Sequence, residues 1–422
     1  MNKFDVIVVG AGATGLSSAY HIKRENKDIS LAVVERAHTF AQGNTGRAAA
    51  GFRDLFSSDV NFKLSHSSID FYSHVQKDLK RDMGMFYTGY LLLLEESGMD
   101  DPALEKLMKK TRARIIENGD LDSTGYFNLN PISDDARLMN AKPIGGAFMG
   151  ENCGIIEPDL VSQFYYDDLE KMGAEFHFDT EVKKLSLEPV NPLDFPGEPF
   201  LWQKKKIGKI ITDKDEMSAD NYVFATDVWT TELLDPLGID SHIRPKKRQI
   251  FRAGGPEVER MLNDSCFNDS GMFPFTILPG TGIYLRPAPR EKAFRVSVAD
   301  EIGRNFSFTE NPETEDDFYN YNVRPTLQEY LPKFKTSKLI GGWAGHYSYN
   351  TIDMHPYIFR ELNLTVATGT SGSGVMKADA DGRVAASLFA GREKVKLYDG
   401  STIGSSDLGI SERKVERERF VI

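Results

Sequence analysis

The chain opens with Lys3-Phe4-Asp5-Val6-Ile7-Val8-Val9, then Gly10-Ala11-Gly12-Ala13-Thr14-Gly15, and Glu35 follows twenty residues after the third glycine. An apolar run, a G-x-G-x-x-G turn, an amphipathic run, a second apolar run (Leu31–Val34) and an acid form the pattern of a dinucleotide-binding βαβ unit. Gly10 permits the tight turn, Gly12 lets backbone approach a pyrophosphate, and Gly15 lets helix and strand pack closely. The helix start at Ala13 and Thr14 presents N–H groups and a partial positive charge to phosphate. Glu35 is placed to accept hydrogen bonds from the ribose hydroxyls of an adenosine, and a 2′-phosphate would be repelled there. The plainer reading is a sharp turn with a solvated acid. The motif does not separate NAD from FAD, but the late return of a second glycine-rich junction favours FAD.

That second junction is Ala367-Thr368-Gly369-Thr370-Ser371-Gly372-Ser373-Gly374-Val375-Met376-Lys377. A helix beginning at Ser373–Val375 would aim its dipole at a ligand, such as the negative N1–C2=O edge of a reduced flavin. A helix cap with a glycine loop is the plainer alternative. The third stretch, Gly43-Asn44-Thr45-Gly46-Arg47-Ala48-Ala49-Ala50-Gly51-Phe52-Arg53, has small residues that let backbone lie against a flat ring. Its two arginines could each clamp a carboxylate by a planar fork, Arg47 could equally bind phosphate, and arginines are otherwise surface residues.

Elements must hold these stretches in place. Asp59–Leu79 reads as an amphipathic helix, Phe86–Glu95 as a strand, Pro102–Asn118 as a charged helix and Ala147–Gly150 as a strand. A helix starts at Pro158 and ends at Gly173. Strands follow at Glu175–Phe178 and Val182–Leu187, a hairpin at Leu201–Thr212 and a buried strand at Tyr222–Thr226. Strands alternate with Pro/Gly turns from Ile243 to Ala299, Leu327–Leu331 is helical, and residues 36–57 read as loop and turn. Leu364–Gly369 is the last buried strand and Gly374–Ala390 the last helix.

At 422 residues two lobes are expected, and 40 % hydrophobic with 27 % charged residues suits a globular enzyme. The net charge of −11 and the lack of a long basic block argue against nucleic acid. Lys204-Lys205-Lys206 reads as a solvated strand edge. Two cysteines far apart, Cys153 and Cys266, imply a reducing, cytoplasmic setting, and scattered histidines make a metal site unexpected. No signal peptide or membrane-spanning run is expected.

These stretches together resemble the D-amino-acid-oxidase-like superfamily of FAD-dependent oxidoreductases, in the branch of sarcosine oxidase and dye-linked L-proline dehydrogenase. The resemblance is carried by Val6–Glu35, Gly43–Phe56, Tyr222–Trp229 and Gly342–Ala386. It implies non-covalent FAD on Gly10, Gly12, Ala13, Thr14, Gly15 and Glu35, with Arg36 beside the adenosine and Val182 giving backbone contact to adenine. It places Arg47, Ala48, Ala49, Ala50 and Gly51 by the isoalloxazine, Thr45, Gly46, Ala225, Thr226 and Gly345 among the cofactor-binding residues, and Gly372, Ser373, Gly374, Val375 and Met376 at the pyrimidine edge of the flavin. Arg53 falls where relatives hold a substrate carboxylate; Arg53, His346 and Tyr284 are the candidate catalytic residues, though a loop histidine is more often structural and a strand tyrosine more often packing.

The chain departs from the family pattern in three places. Gly345-His346 replaces a flavin-bonding cysteine of some relatives. Ala293–Ser297 lacks the lysine that helps reduced flavin meet oxygen, with Lys292, Arg295 and an outward-facing Lys377 the remaining cations. Thr226-Asp227 replaces a usual Ala-Gly.

The implied fold is α/β and two-lobed: a Rossmann-like FAD lobe from residues 1–80, 150–232 and 340–390, and a mostly antiparallel substrate lobe from 81–149 and 233–339. Residues 391–422 form an extension, whose charged run ending in Phe420-Val421-Ile422 frays or docks. The implied activity is dehydrogenation of a small amino acid, a secondary amine such as L-proline or sarcosine, to an imine, with an acceptor other than oxygen. A peroxide-forming oxidase and a non-catalytic flavin-binding subunit or assembly factor are the alternatives. A homo-oligomer and a membrane-peripheral electron-transfer partner are both compatible with this reading.

Overall fold

The computed structural model describes residues 3–263, 266–416 and 418. Its first sheet is built around Lys3–Val9, which pairs in parallel with Glu216–Phe224 on one side and Leu31–Val34 on the other. Leu364–Thr368 adds in parallel beyond Glu216–Phe224, Tyr357–Glu361 closes that edge antiparallel, and Glu175–His177 adds beyond Leu31–Val34. The uninterrupted apolar run of the first strand follows from burial on both faces. Val6 and Val8 join a core with Leu16, Ala19 and Ile22, while Ile7 and Val9 face Val182, Leu185 and Ile210. Each such side chain contributes about 1.5–3 kcal/mol. Helices Ala13–Glu25, Asp59–Lys77, Pro158–Lys171 and Gly374–Phe389 pack together on the first of these faces.

The second sheet runs in the order Lys338–Asn350, Ile243–Gly254, Ala293–Val298, Ile283–Ala288, Phe275–Ile277, Tyr90–Leu94, Gly146–Gly150 and Ala113–Glu117. All its pairings are antiparallel except Phe275–Ile277 with Tyr90–Leu94. Its helices Pro256–Leu262 and Arg324–Tyr330 bury Val258, Met261, Leu327 and Tyr330 in a core of its own. Among the described residues no helix is long and apolar enough to cross a membrane.

Several elements differ from expectation. The helix at Pro102 ends at Lys110, and Ala113–Glu117 is a strand paired with Gly146–Gly150, where Ile116 finds a buried place that a solvated helix would not offer. Residues 201–204 are turn, and only Lys205–Thr212 is a strand; its neighbours are Val182–Pro189 and Glu216–Phe224. The strand expected from Phe86 begins at Tyr90, and the loop 36–57 contains a short strand, Gly51–Phe52, paired with Gly154–Ile155.

The extension contains a hairpin, Lys394–Lys396 with Thr402–Gly404. Beyond it, Arg413 is locked by the Asp353 carboxylate at 2.6 and 2.8 Å and by carbonyls of His355, Pro356 and Leu408. Phe420–Ile422 lie outside the described residues.

Candidate functional site

One long cleft is lined from the ends of the first sheet's strands to the face of the second sheet. At its first end Gly10 turns with φ +101°, and a Cβ there would meet the Ala225 carbonyl at 2.5 Å. The helix from Ala13 begins at Gly12, which has no side chain to cap it, and the Thr45 hydroxyl accepts from Ala13 N–H at 3.1 Å. Gly12, Ala13, Thr14, Ala225, Thr226 and Val182 all line the cleft. Gly15 and Gly46 do not, because they serve packing: a Cβ on Gly15 would sit 2.0 Å from the Gly10 carbonyl and one on Gly46 would sit 2.5 Å from that of Ala41.

Glu35 accepts from Ala11 N–H at 2.8 Å and Ala37 N–H at 2.9 Å, so its carboxylate is fixed at the strand end with lone pairs to spare. Arg36 lies 4.0 Å over the Trp229 ring and pairs with Glu310 at 2.5 Å. Glu310 belongs to the loop 299–315. In the same loop, Thr309 N–H donates to His346 Nε2 and Phe308 contacts both Trp229 and His346, so the loop bridges residues of both sheets along the cleft.

In mid-cleft the small residues Ala48, Ala49, Ala50, Gly51 and Gly345 face the helix start at Gly372–Met376. That helix, Gly374–Phe389, has no side-chain cap at Ser373, so its first-turn N–H groups and dipole are presented to the cleft. A Cβ on Gly345 would crowd Asn44 Oδ1 at 3.0 Å and Arg47 Cβ at 3.2 Å. Asp227 takes the left-handed φ of +49° at a turn that favours glycine, and the Asn44 amide donates to its carboxylate at 2.6 Å. Burial raises the pKa of Asp227.

The far end is aromatic and charged. Arg53 is 7 % exposed, donates to the Leu55 carbonyl at 2.5 Å and lies 4.3 Å over the Phe56 ring; burial pushes its proton affinity down. Tyr90, Phe275 and Tyr284 stack in series beside it, with centroids 4.1 and 5.1 Å apart, and Tyr347 and Arg248 complete the lining. Arg248 is held by Glu301, Asp300 and the Tyr349 hydroxyl. His346 is buried with its N–H bonded to Asn44, and burial lowers its pKa.

Two residues here differ from, or lie beyond, the sequence reading. Lys377, expected to face outward, is 1 % exposed and lines the cleft: its ammonium donates to Asn61 Oδ1 and Ser373 Oγ, both at 2.7 Å, and sits 4.5 Å from the Phe56 ring. A helix that starts at Gly374 turns its fourth residue back to its own N-terminus, which is why the lysine points in. Burial pushes it down to about 7. Glu418 also lines the cleft, accepting from Ser57 N–H at 2.7 Å and Ser58 N–H at 3.2 Å. Burial alone would raise its pKa, but these bonds and Arg53 bring it below the ordinary value. The charged tail was the only signal for it, and that signal did not single out a residue. Arg295 turns to Glu291 and Trp343, Lys292 is exposed, and Arg286 binds Glu157 and the Ile156 carbonyl; none of the three lines the cleft.

Residues 5–388 match the family model described as FAD dependent oxidoreductase. The chain belongs to this family of FAD-dependent oxidoreductases, and FAD is its cofactor. It is 27 % identical over 427 residues to FAD-dependent oxidoreductase domain-containing protein 1 of Bos taurus, covering 91 % of this chain and 80 % of that protein. It is 22 % identical to the glycine oxidase of Bacillus subtilis (strain 168), covering 92 % and 94 %. Its fold matches the crystal structure of L-proline dehydrogenase from P. horikoshii with a TM-score of 0.73 at 20 % identity, covering 94 % and 96 %. The residues present fit the cofactor: two helix N-termini whose own N-cap residues make no side-chain cap, a glycine turn that a Cβ would fill, and a small-residue wall converge on one cleft.

Proposed function

We propose that the protein oxidises a small amino acid, a secondary amine such as L-proline or sarcosine, to the imine, and passes the electrons to an acceptor other than oxygen. Bound FAD supplies the two-electron acceptor for the substrate's α-C–H hydride. Glu35, Gly10, Gly12, Ala13, Thr14, Arg36 and Val182 would hold its adenosine and pyrophosphate, and Arg47, Ala48, Ala49, Gly345 and Gly372–Met376 its ring, without a covalent bond. Cys153 and Cys266 are free thiols and neither lines the cleft. That suits a reducing compartment, which we read as the cytoplasm. The FAD lobe would comprise the elements of the first sheet, and the substrate lobe those of the second.

The observation that carries the substrate class is Arg53. Its guanidinium lines the aromatic end of the cleft, and a carboxylate matches its planar fork. Tyr90, Phe275, Tyr284 and Tyr347 give that end an aromatic wall against which a small ring or methylamine would pack beside the carboxylate. Orientation and dryness are what amine oxidation asks of the protein. His346, bonded on its ring and on its backbone, positions the Phe308–Thr309 loop and is assigned no proton transfer.

Lys377 favours a second reading. An ammonium beside the flavin wall stabilises charge developing on oxygen, as an oxidase requires. Anaerobic addition of L-proline, sarcosine, glycine and other N-methyl amino acids should bleach the flavin, with an artificial dye restoring it quickly and air slowly. Rapid reoxidation by air with stoichiometric peroxide would establish the oxidase instead, and no bleaching by any amino acid would leave a non-catalytic flavoprotein.

A further inference from the structure

Far from the cleft, the loop 190–203 between strands Val182–Pro189 and Lys205–Thr212 breaks the usual surface rule. Leu201 is 96 % exposed, Trp202 73 %, Phe195 64 % and Leu193 49 %. Large apolar side chains clustered in water mark a surface that meets something. The loop is built to display them. Glu198 accepts from Leu193 N–H at 2.9 Å and the Gln203 amide at 2.8 Å, the Gln203 carbonyl oxygen accepts from Phe200 N–H at 2.7 Å, and the Phe200 and Trp202 rings stack at 5.7 Å. Pro192, Pro196 and Pro199 remove further freedom.

Directly behind the tip come Lys204, Lys205 and Lys206. Only Lys206 has an ion-pair partner among the described residues, Glu188 at 3.1 Å. Residues 190–206 hold three lysines against two acids, Asp194 and Glu198, in a chain of net charge −11. Leu362 adds an apolar side chain next to this collar, where Asn363 ties the turn to Ile207 at 2.8 and 2.9 Å.

We infer that this loop and its lysine collar dock the protein on an anionic lipid bilayer surface. An apolar tip with a Trp enters the headgroup boundary, where amphipathic rings are favoured, and a cationic collar meets the lipid phosphates. A protein partner would have to match a narrow projecting wedge with an apolar point and a basic base; a fluid bilayer does so without a preformed groove. The tip lies about 25 Å along the strand from Val182, so docking leaves the cleft free. The inference rests on this surface alone and stands apart from the redox assignment.

The test is co-sedimentation of the FAD-loaded protein with vesicles of phosphatidylcholine alone or with 30 mol% phosphatidylglycerol. Binding should be at least about tenfold stronger to the anionic vesicles at 50 mM salt, and should fall steeply by 300 mM. The L201S/W202S double variant and the Lys204→Gln/Lys205→Gln/Lys206→Gln triple variant should each lose about tenfold or more, with unchanged melting temperature and flavin content. Trp emission should shift to the blue on anionic vesicles in the native protein and not in Trp202→Phe. Equal binding to both vesicle types, no binding to either, or undiminished binding by L201S/W202S would overturn the inference. So would self-association in solution that L201S/W202S abolishes while vesicles bind nothing, which would make the tip a contact between copies.

Discussion

The two ends of the cleft are made of different material. The end at Gly10 is backbone: glycines at 10 and 12, a helix start whose N-cap residue has no side chain, and one carboxylate fixed by two neighbouring N–H groups. The opposite end is side chain: Arg53, Phe56, Tyr90, Tyr284, Tyr347, Lys377 and Glu418, drawn from segments far apart in the chain. A backbone cradle tolerates no added atom, whereas a side-chain pocket tolerates exchange and is tuned by charge. Substitutions at the first end should therefore act on folding and cofactor retention, and those at the second on ligand affinity.

The largest effect is expected at Gly15, where a Cβ would lie 2.0 Å from a backbone carbonyl. Gly15→Ala should cost about 3 kcal/mol or more and leave purified protein colourless, read from the ratio of flavin to protein absorbance and from the melting temperature. A yellow, stable Gly15→Ala protein would break the distinction between the two ends.

Arg53→Ala should keep its flavin yet lose about 100-fold in binding of L-tetrahydro-2-furoate, a proline analogue with no oxidisable amine, followed by flavin difference spectra. Arg53→Lys should recover part of this, since an ammonium has no planar fork. Full binding in Arg53→Ala would move the anion site to Arg248 or Arg47.

Lys377 adds a pH dependence with a definite sign. Burial lowers its pKa to about 7 and raises that of Asp381, with which it interacts, to about 7, so positive charge is lost from this pair as pH rises through that range. Affinity for the same analogue should fall about tenfold as pH rises from 6 to 8, and Lys377→Met should flatten the profile.

Glu418 presents a fixed negative charge to the same pocket, so Glu418→Gln should tighten carboxylate binding about fivefold while keeping its acceptor for Ser57. The smallest effect belongs to Arg36→Ala. Its partner Glu310 is half exposed, and the exchange should change FAD retention by less than about threefold.

The first end was legible because its information is local: strand, turn, helix and acid lie within 35 residues, each at a position with one physical reason. At the second end Arg53 was legible from its place in the small-residue stretch as well as from the family resemblance, and Tyr284 and His346 were legible as candidates. Lys377 was misread because a helix periodicity alone does not say which side meets Asn61 and Ser373. Glu418 was not singled out because its place is set by Ser57 and Ser58, some 360 residues earlier, and no spacing rule encodes such a contact. The strand at Ala113–Glu117 was hidden for the same reason: its partner at Gly146–Gly150 decides it, not its own charged sequence.

The placing of Lys3–Val9 at the centre of the first sheet has a consequence for how the chain is made. Of its two neighbours, Leu31–Val34 emerges from the ribosome almost at once, but Glu216–Phe224 comes some 200 residues later. At 5–20 residues per second that interval is about 10–40 s, during which one edge of an apolar strand stands open. Leu364–Thr368 and the helix after it come later still. The nascent protein thus carries an unfinished nucleotide fold through most of its synthesis, a period in which chaperone capture or misfolding competes with completion.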